Sequence, residues 1–460
     1  MTRNHINGKQ ILGKLISINT VNDPQKMLIP DVEILDYVKD LIAVWNPDIK
    51  AKIFRDQSYA SIYLTPNLDN GADILFMGHL DVVPVTDGWS SDPFSLRIEN
   101  DRAYGRGSKD CKGSVVSCLL MYQDLCQQQV DGFAKIGFFF STDEETGGQH
   151  GAKLFFDEAN KQGILPKFVI NVDGGSRVVY KRRAGFGVSL IIPPVIKSVN
   201  GKIEKLKTYT KIFGDPNRHS AYFVRGVDQH AILTLSKLLH LNRNWKIQDL
   251  TGSWIKKNVI PDDCVATVVK PTSNGSIQTY DEHLTAILRA MRGMVLLDGT
   301  QLETEIPSEF GITVNPNIVT YSSTNGTQVE FDVRAFLSPE KAPILVHAIK
   351  SRLNAFSINA DIETRRSSGY LYTSKEHLLV TTASSVLEKH SMVSEPCEQE
   401  GASDARYPSS YNIPVIDLGP EGGAIHGTDE FIMLKSMNDF AMIYKDIVRQ
   451  LIPPNLSLVE

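Results

Sequence analysis

Three apolar runs in the first part of the chain each stop at residues able to bind a metal ion, and this coincidence constrains the fold more than any other feature. ILFMG at 74–78 runs into His79, KIGFFFST at 135–142 into Asp143, Glu144 and Glu145, and FVINVD at 168–173 ends on Asp173. Short runs rich in β-branched and aromatic residues read as buried strands of an α/β sheet. Ligands in such sheets gather beyond the carboxyl ends of the strands, so the three termini are expected to meet in space. Between the first two strands a helix is predicted after 113, where Val115, Cys118, Leu119, Tyr122 and Leu125 recur at helical spacing. Core packing alone explains that stripe.

A chain of 460 residues exceeds one ordinary core and implies two domains, or one carrying a large insertion. The α/β texture fills 1–184. From 185 to 365 longer strand-like runs alternate with turns, interrupted by helices near 228–241, with Ile232, Leu235 and Leu239 on one stripe, and near 342–356, with Leu345, Ile349, Leu353 and Phe356 on another. This predicts a separate α+β domain inserted into the first. The α/β texture returns over 366–460, with a strand at 414–418 and a last helix carrying Leu434, Met437, Phe440, Tyr444 and Ile447. The expected fold is α/β: a largely parallel mixed sheet flanked by helices and interrupted by an α+β insert.

The formal charge of −5, without a basic run, argues against nucleic acid and anionic membrane surfaces as partners. The N-terminal residues read as an amphipathic helix and not as an export signal, and no stretch is apolar enough to span a bilayer. Five cysteines, Cys111, Cys118, Cys126, Cys264 and Cys397, lack CxxC spacing, which suits reduced thiols and a cytoplasmic location.

A histidine after an apolar strand is commonly a hydrogen-bonded structural residue. Asp81, two residues beyond His79, strengthens the ligand reading, because a carboxylate there can fix the imidazole tautomer. Adjacent Glu144 and Glu145 could be a solvated turn, but beside a buried phenylalanine-rich strand they repel each other unless a cation is present. In GRGSKDCKG at 105–113, Asp110 sits just ahead of a helix and could be an N-cap or a ligand. The loop lacks the GxxxxGK[ST] phosphate-binding spacing. Near the C-terminus GASDARYP at 401–408 and LGPEGGAIHGTDE at 418–430 add glycine-rich loops and His426. Two histidines and three carboxylates, with a glutamate to spare, are about what two zinc ions sharing a bridging carboxylate need. No GxSxG elbow or Cys–His motif supports covalent acyl-enzyme chemistry.

In this order the segments GHLDVVP at 78–84, GWSSDPF at 88–94, GRGSKDCKG, DEETGG and SDAR with GPEGGAIHGTDE resemble the co-catalytic dizinc family of aminoacylases, acetylornithine and succinyl-diaminopimelate deacylases, glutamate carboxypeptidases and dipeptidases. The resemblance spans nearly the whole chain. It implies two zinc ions per subunit, with cobalt or manganese able to occupy similar sites: His79 and Asp173 on one, Glu145 and His426 on the other, Asp110 bridging. Asp81 is then the residue that orients His79, and Glu144 the general base. GDPNRHSAYF at 214–223 resembles the lid segment that nominates His219 for the oxyanion. VEFDVRAF at 329–336 nominates Arg334 for a substrate carboxylate, KNVIPDDC at 257–264 nominates Asn258, and SDAR nominates Arg406 for substrate binding. Asn258 and Arg334 stand more than seventy residues apart where the family has them about a hairpin apart, so the insert carries additional chain. The resemblance also implies a homodimer through the inserted domain and a substrate that is an N-acyl amino acid or short peptide. A dipeptidase or carboxypeptidase is the alternative within the family, and a metal-free binding protein the alternative outside it.

Overall fold

The computed structural model describes residues 7–128, 135–213, 219–220, 223–224, 226–295, 304–365 and 369–452. Contacts divide the chain into two compact units, one of 1–182, 371–399 and 403–460, the other of 183–370 with 400–402. The boundaries expected at 184 and 365 lie within a few residues of these, and at the first of them strand Val179–Arg182 passes almost directly into strand Ala184–Ile192 without a linker.

Among the described residues the first unit is built on a nine-stranded mixed sheet. Its centre is parallel, with Ile136–Ser141, Ile74–His79, Phe168–Asn171 and Val415–Asp417 side by side. Antiparallel strands flank it, Tyr59–Thr65 and Lys50–Asp56 on one side, Val179–Arg182 and Leu371–Tyr372 on the other. The central strands are buried on both faces, and their alternate residues enter two different cores. Ile74, Phe76, Phe138 and Phe140 pack with helices Gly8–Ser17, Glu33–Trp45, Gly113–Gln128, Leu378–Lys389 and Leu434–Leu451. Leu75, Met77 and Phe139 point the other way, against Phe155, Phe156 and Ala159 of helix Ala152–Gln162. A period of two along strands covered on both sides is why the runs are apolar throughout. Helix Glu33–Trp45, which the motif spacing did not indicate, fills one flank through Ile34, Val38 and Ile42.

Local chemistry sets the helix ends. Asn7 caps the first helix by accepting from Lys9 N at 2.9 Å, while the Gln10 side chain returns to Asn7 N at 3.2 Å. At the other end the buried Lys112 ammonium donates to the carbonyls of Leu15 and Ile18, at 2.8 and 3.2 Å. This satisfies acceptors that a helix C-terminus leaves open and ties the first helix to the Asp110 loop. Among the described residues no helix is long and apolar enough to cross a membrane.

The second unit is antiparallel. Ile196–Tyr209, Asp263–Pro271, Lys246–Gly252 and Ser276–Asp281 close into a small barrel, and Thr313–Ser322, Gly326–Ala335, Ala184–Ile192 and Asp361–Arg365 form a four-stranded sheet. Helices Ala231–Leu241, Glu282–Met294 and Ala342–Ala355 supply its core. Helix Glu282–Met294 belongs to the additional chain between Asn258 and Arg334, and its Leu284, Ile287, Leu288 and Met291 are fully buried. The insertion is therefore part of this core and not an appendage.

His230 caps helix Ala231–Leu241, its Nδ1 accepting from Ile232 N at 3.2 Å, and burial pushes its pKa down to about 3 from 6.5. Between those values the unfolded chain binds a proton that the folded chain does not, so stability falls as pH drops below 6.5. Asparagine can cap without titrating. Relative to His230→Asn, the wild-type protein should lose about 2 kcal/mol more stability between about pH 7 and about pH 5, measured by urea unfolding. Parallel losses in the two proteins would show that His230 is not the acid-sensitive group.

Candidate metal centre

Strand ends and the loops beyond them bring six expected residues of the first unit together. His79 closes strand Ile74–His79, Glu144 and Glu145 open a 3₁₀ turn over Glu144–Thr146, and Asp173 lies two residues past strand Phe168–Asn171. Asp110 enters from the loop ahead of helix Gly113–Gln128, and His426 from the loop ahead of the last helix. One carboxylate faces both imidazoles: Asp110 Oδ1 lies 2.9 Å from His79 Nε2 and Oδ2 lies 3.0 Å from His426 Nε2. His426 Nε2 is also 3.1 Å from Glu145 Oε2. Ligand atoms of His79, Asp110 and Glu145 fall within 4.8 Å of one another, as do those of His79, Cys111 and Asp173. His426 holds a left-handed backbone, φ 61°, between Ile425 and Gly427.

Asp81 organises this cluster. His79 Nδ1 meets the Asp81 backbone carbonyl at 3.0 Å and its carboxylate at 3.5 Å. The same carboxylate accepts from Glu144 N at 3.2 Å, Glu145 N at 3.1 Å and Asn22 Nδ2 at 2.8 Å. The carboxylate thus anchors the glutamate turn, while the backbone carbonyl of the same residue makes the shorter contact with the His79 ring. Cys111 adds a reciprocal pair, its sulfur 3.2 Å from both His79 N and His79 O.

The electrostatics call for cations. Burial pushes Glu145 up to about 7 and Asp173 up to about 6, in each case aided by the neighbouring Asp110 charge. Burial, then Asp404, drives Glu144 well above the usual carboxylate range. Against its own burial Asp110 is held far below that range by the His426 and His79 side chains. Partial desolvation opposes a charge on His426, whose side chain stays about half exposed, yet Asp110 and Glu145 push it up to about 11. Protons on the imidazoles thus stand where divalent cations would neutralise the acids, and two imidazoles with three carboxylates suit borderline or hard ions. The donor set fits the metal pair.

Glu430, the last residue of GPEGGAIHGTDE, carries much of the architecture. Fully buried, it accepts from Gly107 N, Lys109 N and Asp110 N at 2.9, 2.9 and 3.0 Å, and from Arg106 Nη1 at 2.7 Å. It therefore folds the glycine-rich loop around Asp110. A carboxylate four residues after His426 is the only sequence signal for Glu430, and Asn22 has none.

The other candidates sit elsewhere. Arg406 is buried in the first unit, its Nη2 2.9 Å from Gly147 O and 3.2 Å from Asp404 Oδ1. His219, Asn258 and Arg334 belong to the second unit, where Val259 pairs with His219 and Asn258 O accepts from Ser220 N at 2.9 Å. Ser220 Oγ in turn donates to Asp332, which accepts from Arg334 Nε at 3.1 Å. Residues separated by more than seventy positions thus share one network. Most of the 214–223 segment around His219 lies outside the described residues.

Acidic and imidazole donors converging at the carboxyl edge of a parallel sheet, with an uncommitted glutamate beside them, define a metal-dependent hydrolase. The chain belongs to peptidase family M20/M25/M40, whose model matches residues 75–450, and it acts on amide or peptide bonds. It is 23% identical over 386 residues to succinyl-diaminopimelate desuccinylase of Thioalkalivibrio sulfidiphilus, covering 83% of this chain and 84% of that one. The Helicobacter pylori desuccinylase is likewise 23% identical over 385 residues, covering 82% and 79%. Aminoacylhistidine dipeptidase from Vibrio alginolyticus shares the fold with a TM-score of 0.67 and 15% identity, over 99% of this chain and all of that one.

Replacing Glu430 with glutamine puts an amide nitrogen against a backbone donor and leaves Arg106 without its counter-charge. Metal affinity should fall about tenfold, measured by equilibrium dialysis against a zinc or cobalt salt, and thermal stability should drop with it. Unaltered affinity would mean that the loop holds Asp110 without this anchor.

Proposed function

We propose that the chain hydrolyses the amide of an N-acyl amino acid or short peptide, using two metal ions and Glu144 as general base. The observation that carries this reading is Asp110, whose two oxygens face imidazoles from distant segments, as a bridging ligand's would. His79 and Asp173 would hold one ion and Glu145 and His426 the other, and zinc would suit the donors, with cobalt or manganese able to replace it. Bound there, the ions supply Lewis acidity that lowers the pKa of a water and polarises the scissile carbonyl.

Glu144 is the acid of the turn that the ligand set leaves uncommitted. Its carboxylate takes the proton of the attacking water and returns it to the leaving nitrogen, while Asp81 keeps both the turn and His79 in place. In the second unit Arg334, with Nε committed to Asp332, offers its terminal nitrogens as a fork for a substrate α-carboxylate. Asn258 is assigned to substrate binding in this reading, and His219 to the developing oxyanion. The second unit serves as lid and as the contact of a homodimer, and the enzyme is cytoplasmic. The desuccinylase relatives support a deacylase. The Vibrio dipeptidase, matched over its full length, supports a dipeptidase as the second reading.

Glu144→Gln keeps size and hydrogen-bonding reach but cannot take the proton. Turnover should fall by several powers of ten with both metals retained by elemental analysis. Near-normal turnover, or loss of metal along with activity, would give the base role to another group. Arg334→Ala should lower kcat/KM about thirtyfold for substrates with a free α-carboxylate and barely alter it for their amides. Equal losses for acid and amide would make Arg334 a structural partner of Asp332 only.

A further inference from the structure

The turn that carries Glu144 and Glu145 is held at both ends by side chains. At its start, Asp81 accepts from the amides of Glu144 and Glu145, and Asn22 Nδ2 lies 3.2 Å from Thr146 Oγ1. At its end, the Gly147 carbonyl accepts two hydrogen bonds, from Arg406 Nη2 at 2.9 Å and from the Tyr407 hydroxyl at 2.5 Å. Gln149 Nε2 donates to the same hydroxyl at 2.9 Å, so the tyrosine proton is left for Gly147. Gly147 and Gly148 both hold positive φ, 110° and 63°, and a Cβ on Gly148 would lie 2.2 Å from Asp404 Oδ1. The turn and the Asp404–Tyr407 segment are therefore pressed together with no room between them.

We infer that Arg406 and Tyr407 are positioning residues that hold the Glu144–Thr146 turn, and with it the general base, through their shared grip on the Gly147 carbonyl. The inference rests on the base role of Glu144 and gives Arg406 a different task from carboxylate recognition. Its buried guanidinium spends Nη2 on Gly147 and Asp404, an arrangement that rigidifies the turn. With only the Asp81 end fixed, the turn could pivot about its two anchored amides, and a displacement of the base by a fraction of an ångström slows proton transfer without weakening substrate binding. Nothing in the local sequence of the turn specifies this grip, because the donors lie 259 and 260 residues away.

The test uses metal-saturated full-length protein carrying Tyr407→Phe, Arg406→Met or Arg406→Lys. Two readouts are taken: steady-state kinetics on an N-acyl amino acid and its α-amide, and amide hydrogen exchange of the peptide spanning 141–150. Tyr407→Phe should lower kcat about tenfold on both substrates, with KM within about twofold, and speed exchange of the turn amides about tenfold. Arg406→Met should do the same more strongly, and Arg406→Lys should restore part of the protection. Tyr407→Phe removes one oxygen only and remains informative if Arg406→Met does not fold. Unchanged exchange would overturn the inference, as would a loss confined to KM and to substrates with a free carboxylate. Faster exchange with kcat unchanged would also overturn the positioning role, and Glu144→Gln reports independently on whether Glu144 is the base.

Discussion

Everything around the candidate centre depends on one carboxylate being presented to two imidazoles at once. Asp110 can do this only if its loop is bent tightly and its side chain is aimed from outside the sheet. Glu430 enforces the bend through three backbone amides and a buried arginine, and Lys112 fastens the far side of the loop to the first helix. Buried acids would normally weaken a fold, since desolvating a charge costs several kcal/mol. Here Asp81 and Glu430 are surrounded by donors, while Glu145 and Asp173, both assigned to the metals, are pushed up by burial and by the Asp110 charge. That asymmetry separates the residues that build the site from those that use it.

Mechanical rigidity follows from the same bonds. The glutamate turn is short, bounded by glycines with positive φ, and has little apolar contact of its own, since neither Glu144 nor Thr146 is buried in a core. It must be held by directed hydrogen bonds, which fix orientation better than packing does. Asp81 and Asn22 act from one end, Arg406 and Tyr407 from the other, so the turn is framed by segments drawn from most of the length of the first unit. The second unit solves a related problem: Ser220 and Asp332 join the chain near Asn258 to Arg334 across an insertion whose helix became core.

The sequence determined that apolar strands would end in His79, Glu144, Glu145 and Asp173, because continuous burial writes itself into continuous hydrophobicity and polar residues can begin only where a strand leaves the core. It determined the α/β class and the order of the motifs for the same reason. It could not indicate Glu430, Asn22 or the Arg406–Tyr407 grip, since a buried acid or amide is recognisable only by its donors, and those come from segments up to 324 residues away. The unit boundaries were legible to within a few residues from the change of texture, but their exact positions were not, because one strand continues almost directly into the next at the first junction. Local pattern reports what is buried; which polar groups satisfy one another is decided only when the chain has folded and brought them within hydrogen-bonding distance.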